Sequence, residues 1–273
     1  MAPFADAHMH LFVHGYHPRR DAFGGGDVDR YEAIMATHNI TAALVVGYEG
    51  EGIDPDNNAY LRSLAVQRPW MSTVAHLPVA PPPVPDHLEK LLAAGHSGIA
   101  LHCPDAVSAH TVACWPEGSW ELLNDRGALV SFNATPEAQP GLAKLVRAYT
   151  QCQFLFSHVG QPGSYQSPPT KNAARERLSA LLKLSSAENC WIKISALYSI
   201  SARSNTYPYI EADPFVSVVL DTFGPSQCIW GSDFSPTLDH GTFEQAFIVP
   251  QLGQLSRTEI DRIMGANLLQ LLS

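Results

Sequence analysis

Short runs of apolar and β-branched residues recur along the chain, each followed by a stretch whose apolar positions have helical spacing. The runs predict strands over 4–10, 41–48, 71–77, 98–103, 128–134, 153–160, 190–197 and 228–233. The intervening pattern predicts helices over 29–38, 58–67, 86–94, 119–126, 136–149, 171–187, 211–223 and 258–272. Strands that alternate with helices pair in parallel through crossover connections. Ala42-Ala43-Leu44-Val45-Val46 is apolar at every position, as a sheet covered on both faces requires. Eight such units in 273 residues point to an α/β fold, a (β/α)8 TIM barrel forming one domain over 1–273. A doubly wound open sheet is the alternative, because the pattern does not encode strand order.

Composition supports a large core: 45% of residues are hydrophobic and 16% are charged. Pro81-Pro82-Pro83, Pro85 and Gly24-Gly25-Gly26 read as loops, since no change of composition accompanies them. A net charge of -9 argues against a nucleic-acid partner, and no apolar run reaches the roughly 18 residues of a membrane span. Met1-Ala2-Pro3-Phe4 does not open a signal peptide, so a cytoplasmic location is expected. The cysteines, Cys103, Cys114, Cys152, Cys190 and Cys228, are odd in number and lack Cys-x-x-Cys spacing. They suit small apolar roles in a reducing compartment. Homo-oligomerisation is left open.

In a barrel, chemistry collects at the C-terminal ends of the strands. Those ends carry Asp6, His8 and His10, then Tyr48 and Glu49, His76, His102, Asn133, His158, Lys193 with Ser195, and Asp233. Residues two apart in a strand share a face, so His8 and His10 converge on one metal ion or substrate atom. Asp233 ends the eighth strand, beside the first in a closed barrel. There it would act as general base, metal ligand or both, unless it is a turn aspartate. Gly160 and Pro162 end the sixth strand and leave His158 at the rim. His76 and His102 are isolated, and core and substrate-contact roles are equally open to them. Lys193 lies in an apolar strand and needs a buried partner, for which Asp6 is the candidate. Arg19, Arg20, Tyr198 and Arg203 lie in loops and offer contacts for an acidic group. His14, His17, His38, His87, His96, His110 and His240 read as loop or helix-surface residues.

Five segments together resemble the amidohydrolase superfamily, in its amidohydrolase-related branch. They are Asp6-Ala7-His8-Met9-His10, Ser157-His158-Val159-Gly160-Gln161-Pro162, Lys193-Ile194-Ser195, Trp230-Gly231-Ser232-Asp233 and the tail from Met264 to Leu272. The fourth strand reads Ile99-Ala100-Leu101-His102, without the bridging lysine of dinuclear members. The fifth offers Asn133 where mononuclear members have a histidine. What remains is similar to the 2-pyrone-4,6-dicarboxylate lactonase and sugar-lactonase members. Ala100 replaces an arginine common in that branch, which argues against a dicarboxylate.

The resemblance implies a hydrolase acting on a small lactone or carboxylate. Asp233 would be the general base, with His8, His10 and His158 as electrophile. Alternatively those histidines and Asp233 would hold one divalent ion, zinc or manganese. Lys193, Tyr198, His102, Asn133, His76 and Arg19 are the substrate-binding candidates. Two rivals are a metal-dependent decarboxylase of an unsaturated acid and a non-catalytic metabolite-binding barrel. A tightly held stoichiometric ion favours the first, and ligand stabilisation without product the second.

Overall fold

A computed structural model describes residues 2–16, 26–49 and 55–273. Its strands are β1 (Phe4–Met9), β2 (Ile40–Val46), β3 (Met71–His76), β4 (Gly98–Cys103), β5 (Leu129–Ala134), β6 (Gln153–Phe156), β7 (Cys190–Ile194) and β8 (Cys228–Trp230). They form one parallel sheet in sequential order. Met9 pairs with Phe234, and the Asp233 N–H donates to the His8 carbonyl at 2.8 Å, so the end of the eighth unit meets the first strand. That contact makes the sheet a near-closed barrel and removes the open-sheet alternative.

Alternate residues divide between two layers, as the pleat dictates. Leu44, Val46, Val74, Ala100, Leu129, Leu155, Trp191 and Ile229 fill the interior with Ala5 and Ala7, and Leu268 of the terminal helix joins them. Ala43, Val45, Ile99, Leu101, Val130, Phe132, Phe154, Phe156, Ile192 and Trp230 face the surrounding helices. On this parity His102, Ser131, Asn133, Ser157, Lys193 and Ser195 point inward.

Helices at Asp27–His38, Asn57–Ala65, Pro85–Ala93, Glu117–Asp125, Gln139–Ala148 and Asp213–Phe223 lie where the apolar periodicity places them. The helix at Ala106–Ala113 escapes that reading. It buries only Ser108, Ala109 and Val112, with no wide apolar stripe, and an Asp105/Ser108 capping box starts it. The stretch 171–187 folds as two pieces, Lys171–Arg177 and Ser179–Leu182. The terminal helix is interrupted by a π turn at Arg262–Ala266, where Gly265 lies so close to the Pro3 carbonyl that a Cβ would overlap it.

His96 is buried, contrary to a surface reading, and its Nδ1 meets Thr73 Oγ1 at 2.9 Å. Burial, helped by the Arg62 charge, pushes its pKa down to about 4. The fold therefore favours the neutral ring. That stability is complete above the unfolded value near 6.5 and is lost as pH falls toward 4. Urea unfolding from pH 7.5 to 4 should show this loss, and His96→Gln should make the decline shallower by about one proton.

Candidate active site

Three elements end by turning the backbone left-handed. His158 (φ 56°) and Val159 (φ 56°) follow β6, Ala196 (φ 48°) follows β7, and Asp233 (φ 57°) follows β8. Such conformations cost on the order of 1–3 kcal/mol each in non-glycine residues and concentrate at functional sites. They also explain why these strands stop at Phe156, Ile194 and Trp230, short of the 160, 197 and 233 predicted by apolarity. His158 and Asp233 consequently stand on loops just beyond the ladder.

The first strand departs from simple alternation. Its register shifts between Asp6 and Met9, so Ala5 and Ala7 face inward and yet His8 and His10 do too. Asp6 is left facing the helix layer. Its carboxylate accepts from His8 N (3.1 Å), Ser232 N (2.9 Å), Ser232 Oγ (2.5 Å) and Tyr31 OH (2.8 Å). Burial raises its pKa to about 6 despite those four donors. Asp6 thus ties β1 to the segment carrying Asp233. The two chains approach so closely that a Cβ on Gly231 would fall 2.7 Å from His8 Cβ, which requires glycine there.

Lys193 therefore lacks the direct Asp6 partner expected of it, because the register shift turns Asp6 away. Its Nζ donates to Ser131 Oγ at 2.8 Å and meets His8 Nδ1 at 3.1 Å. Burial pushes its pKa down to about 7, opposed by the charges of Asp6 and Asp233. As an ammonium it donates to His8 Nδ1 and leaves the ring proton on Nε2. As an amine it accepts from Nδ1–H and frees the Nε2 lone pair. At neutral pH both states are accessible. Ser157 Oγ completes the surroundings of Nδ1 at 3.3 Å.

His10 has one tautomer fixed. Its Nδ1 lies 2.8 Å from the Val46 carbonyl, which only accepts, so Nδ1 carries the proton and Nε2 a lone pair. That Nε2 and His8 Nε2 face the same oxygen, Asp233 Oδ1, at 3.7 and 3.5 Å. Burial drives both imidazoles toward neutrality, and it raises the Asp233 pKa against the opposing pull of His10, Tyr198, His240 and Lys193. Asp233 Oδ2 accepts from Tyr198 OH at 2.5 Å.

His158 packs edge-on against His8, ring centroids 4.6 Å apart, and its Nδ1 meets Ser195 Oγ at 3.0 Å. Burial and the Lys193 charge push its pKa down to about 3. His76, His102 and Tyr48 gather at the β2–β4 side of the mouth, with His76–His102 and Tyr48–His102 centroids 5.3 and 5.0 Å apart. Tyr48 also meets His10 at 6.5 Å. The two histidines left open by sequence thus belong to the cluster. Asn133 is paired in register with His102, and its Oδ1 has no hydrogen-bond partner among the described residues. Arg203 is paired with Glu211, while Arg19, Arg20 and His17 lie outside the described residues. Ser131 and Ser157, not singled out from sequence, hold Lys193 and His8. The clue to Ser131 is its inward parity with Asn133.

Donor atoms of His8, His10 and Asp233 fall within 4.8 Å of one another, all buried. The Nε2–Oδ1 separations exceed hydrogen-bond length. They are close to the roughly 3.4 Å between ligands that share a tetrahedral ion at about 2.1 Å. His8 Nε2 has no hydrogen-bond partner among the described residues. Three protein donors with a position left open suit a catalytic divalent ion, so these residues fit one. His158, turned toward Ser195, stands outside this set.

The Amidohydrolase family model matches residues 5–272. The chain belongs to the amidohydrolase family. An L-fucono-1,5-lactonase of Burkholderia ambifaria is 28% identical over 108 residues, covering 38% of this chain. The match spans 34% of that relative, so about a third of its length. Among solved structures, a zinc-bound amidohydrolase from Burkholderia multivorans has a TM-score of 0.77 at 16% identity, with 99% of each chain covered. A probable 2-pyrone-4,6-dicarboxylic acid hydrolase from Acinetobacter baumannii, with citric acid bound, has a TM-score of 0.72 at 19% identity, also with 99% of each chain covered. These two likenesses establish the fold. Among the described residues no helix is long and apolar enough to cross a membrane.

Proposed function

We propose that this amidohydrolase opens a small cyclic ester by attack of water. The observation that carries the reading is Asp233 Oδ1, buried at the barrel mouth and facing His8 Nε2 and His10 Nε2 while Oδ2 is held elsewhere. The partial likeness to a lactonase supports the ester class. In this reading Oδ1 takes a proton from water as the water oxygen bonds to the carbonyl carbon. When the ring C–O bond breaks, Asp233 returns that proton to the departing oxygen. The net product is the open-chain hydroxy acid.

His8, in the tautomer with Nε2–H, donates to the carbonyl oxygen where negative charge develops. His10 Nε2 accepts from water and helps aim it. His158 bounds the other side of the ring. Tyr48, His76, His102 and Asn133 form the wall that contacts the rest of the substrate, with Lys193 beneath it. A zinc or manganese ion held by His8, His10 and Asp233 would supply Lewis-acid polarisation of the carbonyl.

A panel of γ- and δ-lactones tests the reading, assayed by pH-stat with and without added Zn2+ or Mn2+. Release of one acid equivalent per ring opened is the expected result. Failure to open any lactone under either condition would contradict it. Within the same panel, His102→Ala is expected to raise KM several-fold with a smaller change in kcat, the pattern of a lost ground-state contact.

A further inference from the structure

We propose that Tyr198 and His240 form a positioning pair that holds the Asp233 carboxylate for proton transfer. The proposal rests on the hydrolytic reading for the use made of Asp233, though not for how Asp233 is held. Tyr198 lies in the helical turn Leu197–Ile200 after β7, and its hydroxyl donates to Asp233 Oδ2 at 2.5 Å. The other oxygen, Oδ1, faces His8 and His10. One carboxylate oxygen is therefore fixed and the other presented, with the phenol setting the plane. A hydrogen bond to a charged acceptor is among the stronger ones, which suits this role.

His240 sits in the loop beyond β8. Its ring stacks on Tyr198 with centroids 4.1 Å apart and planes 18° apart, and its Nδ1 meets Ser204 Oγ at 3.0 Å. The stack joins the loops that follow β7 and β8 and fixes the phenol ring from behind. Sequence offers no pointer to it, because His240 stands in a loop without periodic context. A hydroxyl committed to Asp233 also changes the assignment of Tyr198, from a substrate contact to a residue acting through the carboxylate.

Steady-state kinetics on a turned-over lactone tests the pair, using wild type, Tyr198→Phe, His240→Ala, His240→Phe and the Tyr198→Phe/His240→Ala double variant. Tyr198→Phe should lower kcat about 10- to 100-fold, with KM changed less than about threefold. His240→Ala should lower kcat roughly 3- to 10-fold. His240→Phe, which keeps the stack and removes any charge, should restore it. The double variant should match Tyr198→Phe alone, since the histidine acts through the phenol.

Proton NMR supplies a readout that needs no substrate: a downfield phenolic proton present in wild type and His240→Phe, and lost in Tyr198→Phe. Unchanged kcat in Tyr198→Phe, additive losses in the double variant, or His240→Phe as impaired as His240→Ala would overturn the pair. If wild type opens no lactone, the hydrolytic reading fails, and the NMR signal still decides. Its absence from wild type overturns the proposal, and its presence with the stated variant pattern upholds it.

Discussion

Asp233→Asn is expected to lower kcat/KM for a lactone by about a thousandfold, within the range a general base supplies. The amide keeps the shape of the carboxylate and still accepts from Tyr198, but it cannot take a proton from water. Melting temperature should stay within a few degrees of wild type, because a desolvated charge is exchanged for a neutral group. The pH profile adds a second signature. Burial raises the Asp233 pKa above its ordinary 3.8, and only the deprotonated form acts as base. Activity should therefore rise with pH along an acid limb above that value, and the limb should vanish in the variant. Equal turnover by both proteins would remove Asp233 from the mechanism.

Asp6→Ala is expected to cost about 3–5 kcal/mol of stability. It strands the His8 and Ser232 N–H groups and the Ser232 and Tyr31 hydroxyls, all buried against the closing seam of the barrel. For a chain of this size the loss corresponds to a fall of roughly 10 °C in melting temperature, followed by circular dichroism. Asp6→Asn should fall much less, because its oxygen still accepts from both backbone N–H groups and the two hydroxyls can accept from the amide. An Asp6→Ala protein that melts with wild type would show that the seam does not depend on this carboxylate.

The barrel was legible in the sequence because its cause is local: apolar strands alternate with amphipathic helices, and all eight strands lie where that pattern puts them. The histidines were legible for a related reason, since a polar side chain at the end of an apolar strand is costly to bury without a partner or a task. Geometry beyond the strand ends was not. The register shift in β1 reverses the side on which Asp6 lies, and with it the partner of Lys193. Nothing in Asp6-Ala7-His8-Met9-His10 signals the shift, which lies where Gly231 passes close to His8. The left-handed turns at His158 and Asp233 shorten β6 and β8 relative to their apolarity. Ser131, Ser157 and His240 matter through contacts between elements far apart in sequence, which no spacing rule reaches.

A crystal structure of Asp233→Asn soaked with a slowly hydrolysed lactone tests the central claim most directly. The ester carbonyl carbon is expected about 4–5 Å from the introduced side-chain amide, a separation that admits one water between them, with its oxygen toward His8 Nε2 and the ring against His158 and His102. A lactone seated in density at the opposite end of the barrel, or held only on the outer helices, would contradict the account.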